Sequence, residues 1–148
     1  MKIYKTNSSR ETQKIAADLA RKFLRVRSQK NALVLALQGD LGSGKTTFTQ
    51  GFLRSLGVRK KITSPTFVIT KSYKLKAKSY KHAYHIDCYR IKKPKELLDL
   101  GLKEILTNPQ NIVLIEWTER IRRILPKNTM WLKFKHGETI KQRIIRVY

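Results

Sequence analysis

A chain of 148 residues, 41% of them hydrophobic, is the size of one domain with its own core, spanning 1–148, and is too apolar for wholesale disorder. Thirty-three Lys and Arg against ten Asp and Glu leave a net charge of +23; that field attracts polyanions such as RNA, but a uniformly lysine-rich surface would produce it too, and it defines no site. The lone Cys88 excludes an internal disulfide framework, no apolar run approaches the roughly 20 residues of a membrane helix, and the opening MKIYKTNSSRETQKIAADL lacks the apolar stretch of a secretion signal, so a cytoplasmic location is expected, with no membrane partner.

Ile3 and Tyr4 suit a short edge strand. Ser8 can cap a helix with Glu11 three residues on, and Ile15, Ala16, Leu19, Phe23 and Leu24 recur at helical spacing, which predicts a helix from Glu11 to Arg27. Ala32 to Leu37 is a near-continuous apolar run followed by glycines, the pattern of a buried parallel strand. Thr46 to Leu56 is predicted helical, with Phe48, Phe52 and Leu56 on one face and Gly57 as the stop. Ser64-Pro65 marks a turn. Phe67 to Leu75 and Tyr80 to Tyr89 are expected to be extended, joined by the lysine-heavy KLKAKSYK as a wide hairpin. Pro94 opens a helix expected to reach Glu104, with Gly101 its weak spot. Asn111 to Ile115 is a second apolar strand, ending in Glu116. A short helix through Ile121 and Ile124 stops at Pro126, and Met130 to Lys135 with Ile140 to Val147 form a terminal antiparallel pair around His136-Gly137.

The run GDLGSGKT, Gly39 to Thr46, has the full phosphate-loop form and lies between a buried strand and a helix. Its glycines let backbone N–H groups turn inward around an oxygen-rich anion, and the following helix points its amide end at the same place. Lys45 can reach the outer phosphates of a nucleotide, and the Thr46 hydroxyl can bind magnesium. Such a loop needs an acid near the metal. Glu116, ending the strand in NIVLIEW, stands where open parallel sheets bind ligands, and its burial there calls for a cation; capping the next helix is the plainer alternative. Glu119, three residues on, is a weaker candidate.

In HIDCYR, strand alternation sends His85, Asp87 and Tyr89 one way and Tyr84, Ile86 and Cys88 the other, which argues against a zinc cluster. Asp87, with His85 beside it, suits a second acid positioning magnesium-bound or attacking water. Arg90 could serve a phosphate or pair with an acid. Ser64, Pro65, Thr66 and Phe67 form SPTF, by itself a turn before a strand, although nucleotide switches use a threonine in this region to sense the γ-phosphate.

Together the blocks GDLGSGKTTFTQGF, SPTF, HIDCYR, LGLKEIL and IEWTER, in this order and spacing, resemble the TsaE family of ATPases in tRNA threonylcarbamoyladenosine synthesis. The blocks run from the phosphate loop to Pro126, with Thr118 a minor departure where the family usually has proline or alanine. The resemblance implies an α/β fold of the P-loop NTPase type, a three-layer sandwich whose largely parallel sheet carries added antiparallel strands. It implies that Gly39, Asp40, Leu41, Gly42, Ser43, Gly44, Lys45, Thr46 and Thr47 hold ATP or ADP, with Trp117 close to the nucleotide. Ser64 to Phe67 would act as a switch around Thr66. Lys45, Asp87 and Glu116 would be catalytic, and Thr46, Asp87 and Glu116 would serve Mg2+; Glu116 is the first choice for direct metal contact. The implied partner is the TsaB–TsaD pair, whose TsaD subunit modifies adenosine 37 of tRNA; tRNA enters indirectly, and the charge also permits direct contact. Two other classes compete. A small P-loop kinase predicts an arginine-rich lid, and Arg120, Arg122 and Arg123 come without a lid insertion. A nucleotide-gated adaptor or RNA-binding protein would gain from the charge, yet no RNA-binding module is recognisable.

Overall fold

The fold is that of a computed structural model, which describes residues 1–25, 30–65 and 69–148. Seven strands form one sheet in the order β1-β7-β6-β2-β5-β4-β3. They are β1 (Lys2–Thr6), β2 (Leu33–Gln38), β3 (Thr70–Lys74), β4 (His82–Asp87), β5 (Asn111–Glu116), β6 (Met130–His136) and β7 (Arg143–Val147). The four in the middle, β6, β2, β5 and β4, run parallel, while β1 and β7 on one side and β3 on the other are antiparallel additions. The helices are α1 (Ser9–Leu24), α2 (Lys45–Ser55), α3 (Pro94–Leu98) and α4 (Leu102–Thr107), with two 3-10 turns at Thr118–Arg120 and Arg122–Ile124. A mixed α/β sheet with a parallel core is therefore present.

Side-chain alternation along the central strands sorts the apolar residues into two cores. Leu35 and Leu37 of β2 and Leu114 of β5 pack with Ala16, Leu19 and Phe23 of α1 and Phe48 and Phe52 of α2. Val34, Val113 and Ile115 join Ile86, Leu97, Leu102, Leu106 and Ile121. Strands buried on both sides have no polar alternation to show, and β5 is buried at every position. Among the described residues no helix is long and apolar enough to cross a membrane.

Several expected boundaries move. Ser8 does cap α1, its hydroxyl accepting from the Glu11 N–H at 3.1 Å, but the helix begins at Ser9 and ends at Leu24; the last residues of the expected span, 26 and 27, lie outside the described residues. The helix expected through Glu104 is two helices, because Gly101 adopts φ +85° and serves as the N-cap of α4. Consequently Leu97 and Leu102 are buried while Leu98 and Leu100 are exposed. The helix through Ile121 and Ile124 is only a pair of 3-10 turns. The terminal pair forms, but β7 starts at Arg143, after the chain turns back through Gln142, whose carbonyl accepts from the Gly137 N–H.

Candidate nucleotide site

The parallel strands end level. Leu37 of β2 is in register with Glu116 of β5, and Glu116 with Asp87 of β4, so the chain leaves β2 for its glycine loop directly beside two carboxylates. Within that loop Gly39, Gly42 and Gly44 all have positive φ, 148°, 73° and 103°. At Gly39 the close approach is absolute: a Cβ would sit 2.5 Å from the Phe134 carbonyl oxygen. Gly44 is the N-cap of α2, and Lys45 and Thr46 open that helix.

Lys45 is only 4% exposed, its ammonium donating to the carbonyls of Gly39 at 2.6 Å and Asp40 at 2.9 Å. Its Nζ also lies 4.2 Å from the centre of the Trp117 ring. Burial holds this amine below its ordinary 10.5, opposed by the negative field of Glu116 first, then Glu119, Asp87 and Asp40. The Thr46 hydroxyl donates to Glu116, with Oε1 at 3.2 Å and Oε2 at 3.5 Å. Glu116 is buried and also accepts from His85 Nε2 at 2.8 Å. His85 thus partners Glu116. Asp87 is held separately: Oδ2 accepts from the Ser64 hydroxyl and Oδ1 from the Tyr89 N–H, each at 2.9 Å.

Trp117 follows Glu116 with φ +59°, a left-handed conformation, and its ring lies against the Lys45 ammonium and packs edge-to-face with Tyr89, the ring centres 5.0 Å apart. Its N–H donates to the Leu37 carbonyl, tying this turn to the end of β2.

Several of these groups face one cavity of about 950 Å³, while His85 is buried beneath them and does not line it. Leu41, Gly42, Gly44, Lys45, Thr46 and Thr47 line it from the loop, and Ser64, Asp87, Tyr89, Glu116 and Trp117 from the neighbouring strand ends. Gly39, Asp40 and Ser43 do not line it: the first two offer carbonyls to Lys45, with Asp40 exposed, and Ser43 is buried. Arg90 and Glu119 are exposed and do not line it. Pro65 is buried next to Ser64, and Thr66 and Phe67 lie outside the described residues.

Two further walls were not foreseen from the sequence. Ser8, Ser9, Arg10 and Thr12 at the start of α1, and Ile140, Lys141 and Arg143 before and within β7, complete the cavity. The Arg143 side chain passes beside Gly44, 3.6 Å from where a Cβ would stand, and its guanidinium donates to the carbonyls of Ile140 and Gln142. No local motif marks these residues; pairing of β1 and β6 with β7 brings them to the loop. The cavity therefore combines cations at its walls with a floor of two carboxylates, an arrangement suited to a polyphosphate accompanied by a divalent cation.

A family model described as "Threonylcarbamoyl adenosine biosynthesis protein TsaE" matches residues 6–145. The tRNA threonylcarbamoyladenosine biosynthesis protein TsaE of Haemophilus influenzae is 38% identical over 104 residues, 70% of this chain and 63% of that protein. Its namesake in Bacillus subtilis is 41% identical over 104 residues, 70% of this chain and 62% of that protein, so the aligned part spans less than two thirds of either relative. The Rickettsia bellii protein of the same name is 40% identical over 121 residues, 81% of this chain and 76% of its own. Among solved structures, the crystal structure of Bacillus subtilis YdiB superposes with a TM-score of 0.75 at 32% identity, covering 97% of this chain and 82% of that one. A family match that runs through both the glycine loop and the strand-end acids shows that this chain belongs to the TsaE family.

Proposed function

We propose that this chain is a magnesium-dependent ATPase, converting ATP and water to ADP and phosphate, which supports threonylcarbamoyladenosine formation in tRNA by acting on the TsaB–TsaD complex. The observation that carries this reading is the convergence of Lys45, Thr46, Asp87 and Glu116 on one cavity at the ends of β2, β4 and β5. The fold fits the three-layer P-loop NTPase type, with an apolar core on each side of the sheet. Membership of the family supports the pathway and the partner pair.

The donors present fit magnesium. Thr46 and Glu116 offer hard oxygens within 3.5 Å of each other, with Asp87 on the adjacent strand. Among the described residues no group of three or more His, Cys, Asp and Glu forms a self-contained metal cage. Magnesium takes few protein oxygens and completes its shell with phosphate and water. When bound, magnesium would neutralise charge on the outer phosphates. Lys45 would exchange its carbonyl partners for phosphate oxygens, and Trp117 would cover it from solvent. Glu116 and Thr46 would hold the metal, while Asp87, fixed through both oxygens, would orient the attacking water. Arg10, Lys141 and Arg143 add positive charge around the nucleotide.

The test is phosphate release from ATP and magnesium, for the protein alone and with TsaB–TsaD, beside Glu116→Gln. Slow release that rises with the pair and falls at least about tenfold in the variant is the expected result. No release in either condition, with ATP binding and complex formation demonstrated, overturns the hydrolytic reading in favour of a nucleotide-gated adaptor.

A further inference from the structure

His85 is a histidine without contact to solvent, on the strand next to Glu116 and two residues upstream of Asp87. The register explains its partner. His85 is opposite Leu114 and Asp87 opposite Glu116, and alternation directs His85, Asp87 and Glu116 to the same face of β4 and β5. Glu116 is thus the diagonal neighbour of His85, close enough for a 2.8 Å hydrogen bond. A carboxylate only accepts, so Nε2 carries the proton and donates it to Oε1. The other ring nitrogen, Nδ1, is buried with no hydrogen-bond partner among the described residues, so the ring's one polar contact is to Glu116.

Without His85, the Thr46 hydroxyl would be the remaining side-chain partner of the Glu116 carboxylate among the described residues. Thr46 reaches both carboxylate oxygens, at 3.2 and 3.5 Å, and by itself selects neither. The hydrogen bond from His85 engages Oε1 alone, which leaves Oε2 with only the longer Thr46 contact. We infer that His85 is a positioning residue for the metal site: it fixes the orientation of the Glu116 carboxylate so that Oε2 and the Thr46 hydroxyl stand ready for a divalent cation. This inference rests on the nucleotide-and-metal reading of the cavity. The sequence alone set His85 beside Asp87 and gave it no partner. Asp87 needs no such help, because Ser64 and the Tyr89 N–H already hold both its oxygens.

The experiment compares His85→Leu and His85→Gln with the unaltered protein, using Mn2+ as the probe. Mn2+ binding in the presence of ADP is followed by electron paramagnetic resonance, and ADP binding without metal by calorimetry. His85→Leu is expected to weaken Mn2+ about 10–100-fold, in line with the loss of a partner that orients a metal-binding carboxylate. Metal-free ADP affinity should stay within about twofold of the original, since the phosphate loop is untouched. Glutamine places an amide N–H near the position of Nε2, and His85→Gln should recover most of the loss. In a Glu116→Gln background, His85→Leu should add nothing further. Unchanged Mn2+ affinity in His85→Leu overturns the inference while leaving the nucleotide site intact. Equal weakening of metal-free ADP, with no rescue by glutamine, also overturns it, in favour of a packing role. Failure of the unaltered protein to bind Mn2+ with ADP overturns the metal reading, and this inference with it.

Discussion

Gly51 lies in the middle of α2, where a glycine costs helix stability, and the reason for it is the neighbouring helix. A Cβ at this position would lie 2.5 Å from both the Cα and the carbonyl oxygen of Gln13 in α1, and 2.8 Å from the Gln13 Cβ. Two of these three atoms are backbone and cannot rotate away. Restoring ordinary contact of about 3.5 Å requires α1 to move off α2 by about 1 Å. That motion loosens the packing of Ala16, Leu19 and Phe23 against Phe48 and Phe52. Two effects compete in Gly51→Ala: alanine gains about 1 kcal/mol of helix propensity, and overpacking costs about 1–3 kcal/mol. Backbone-limited contact puts the cost at the upper end, for a net loss of about 1–2 kcal/mol. At about 2–4 °C per kcal/mol for a domain of this size, the melting temperature should fall by about 2–8 °C. The same displacement carries Ser9, Arg10 and Thr12 away from the cavity, so ADP should bind more weakly in the folded variant. Calorimetric melting with and without ADP measures both. A variant that melts at or above the original temperature, as helix propensity alone demands, would refute the close helix contact.

Cys88 is buried beneath α3 and α4, its thiol pushed up to about 12 by burial first and then by the charges of Asp87 and Glu119. Native protein should therefore resist thiol reagents at pH 8 and react once unfolded. Because the folded value lies above the ordinary 9.0, the protonated thiol stabilises the fold fully below pH 9 and that contribution is lost as pH rises towards 12. The stability difference between the original protein and Cys88→Ala, followed by urea titration, should shrink across that window; a constant difference refutes the assignment. Thr6 and Thr12 share a 2.8 Å hydrogen bond between buried hydroxyls, joining the end of β1 to the first turns of α1. Thr12→Val strands the Thr6 hydroxyl and should cost about 1–3 kcal/mol in urea unfolding. Adding Thr6→Val should recover part of that loss, whereas additive costs would exclude the pair.

Much of this protein follows from local chemistry. The glycine loop, the two apolar strands around it, the Ser8 cap and the outward or inward direction of His85 and Asp87 are all properties of residues a few positions apart, and turn chemistry and alternation act at that range. Glu116 stood out as a candidate because a carboxylate closing an apolar strand is unusual wherever the strand lies. The pairing order of the strands obeys no such short-range rule. That His85 meets Glu116 and not Asp87 depends on the diagonal register of β4 and β5. Arg143, Lys141 and Arg10 looked like any other bases in a chain of charge +23. Only the antiparallel packing of β1 and β7 beyond β6 brings them to the cavity, because contacts across a sheet are set by the fit of whole strands and not by the spacing of residues along the chain.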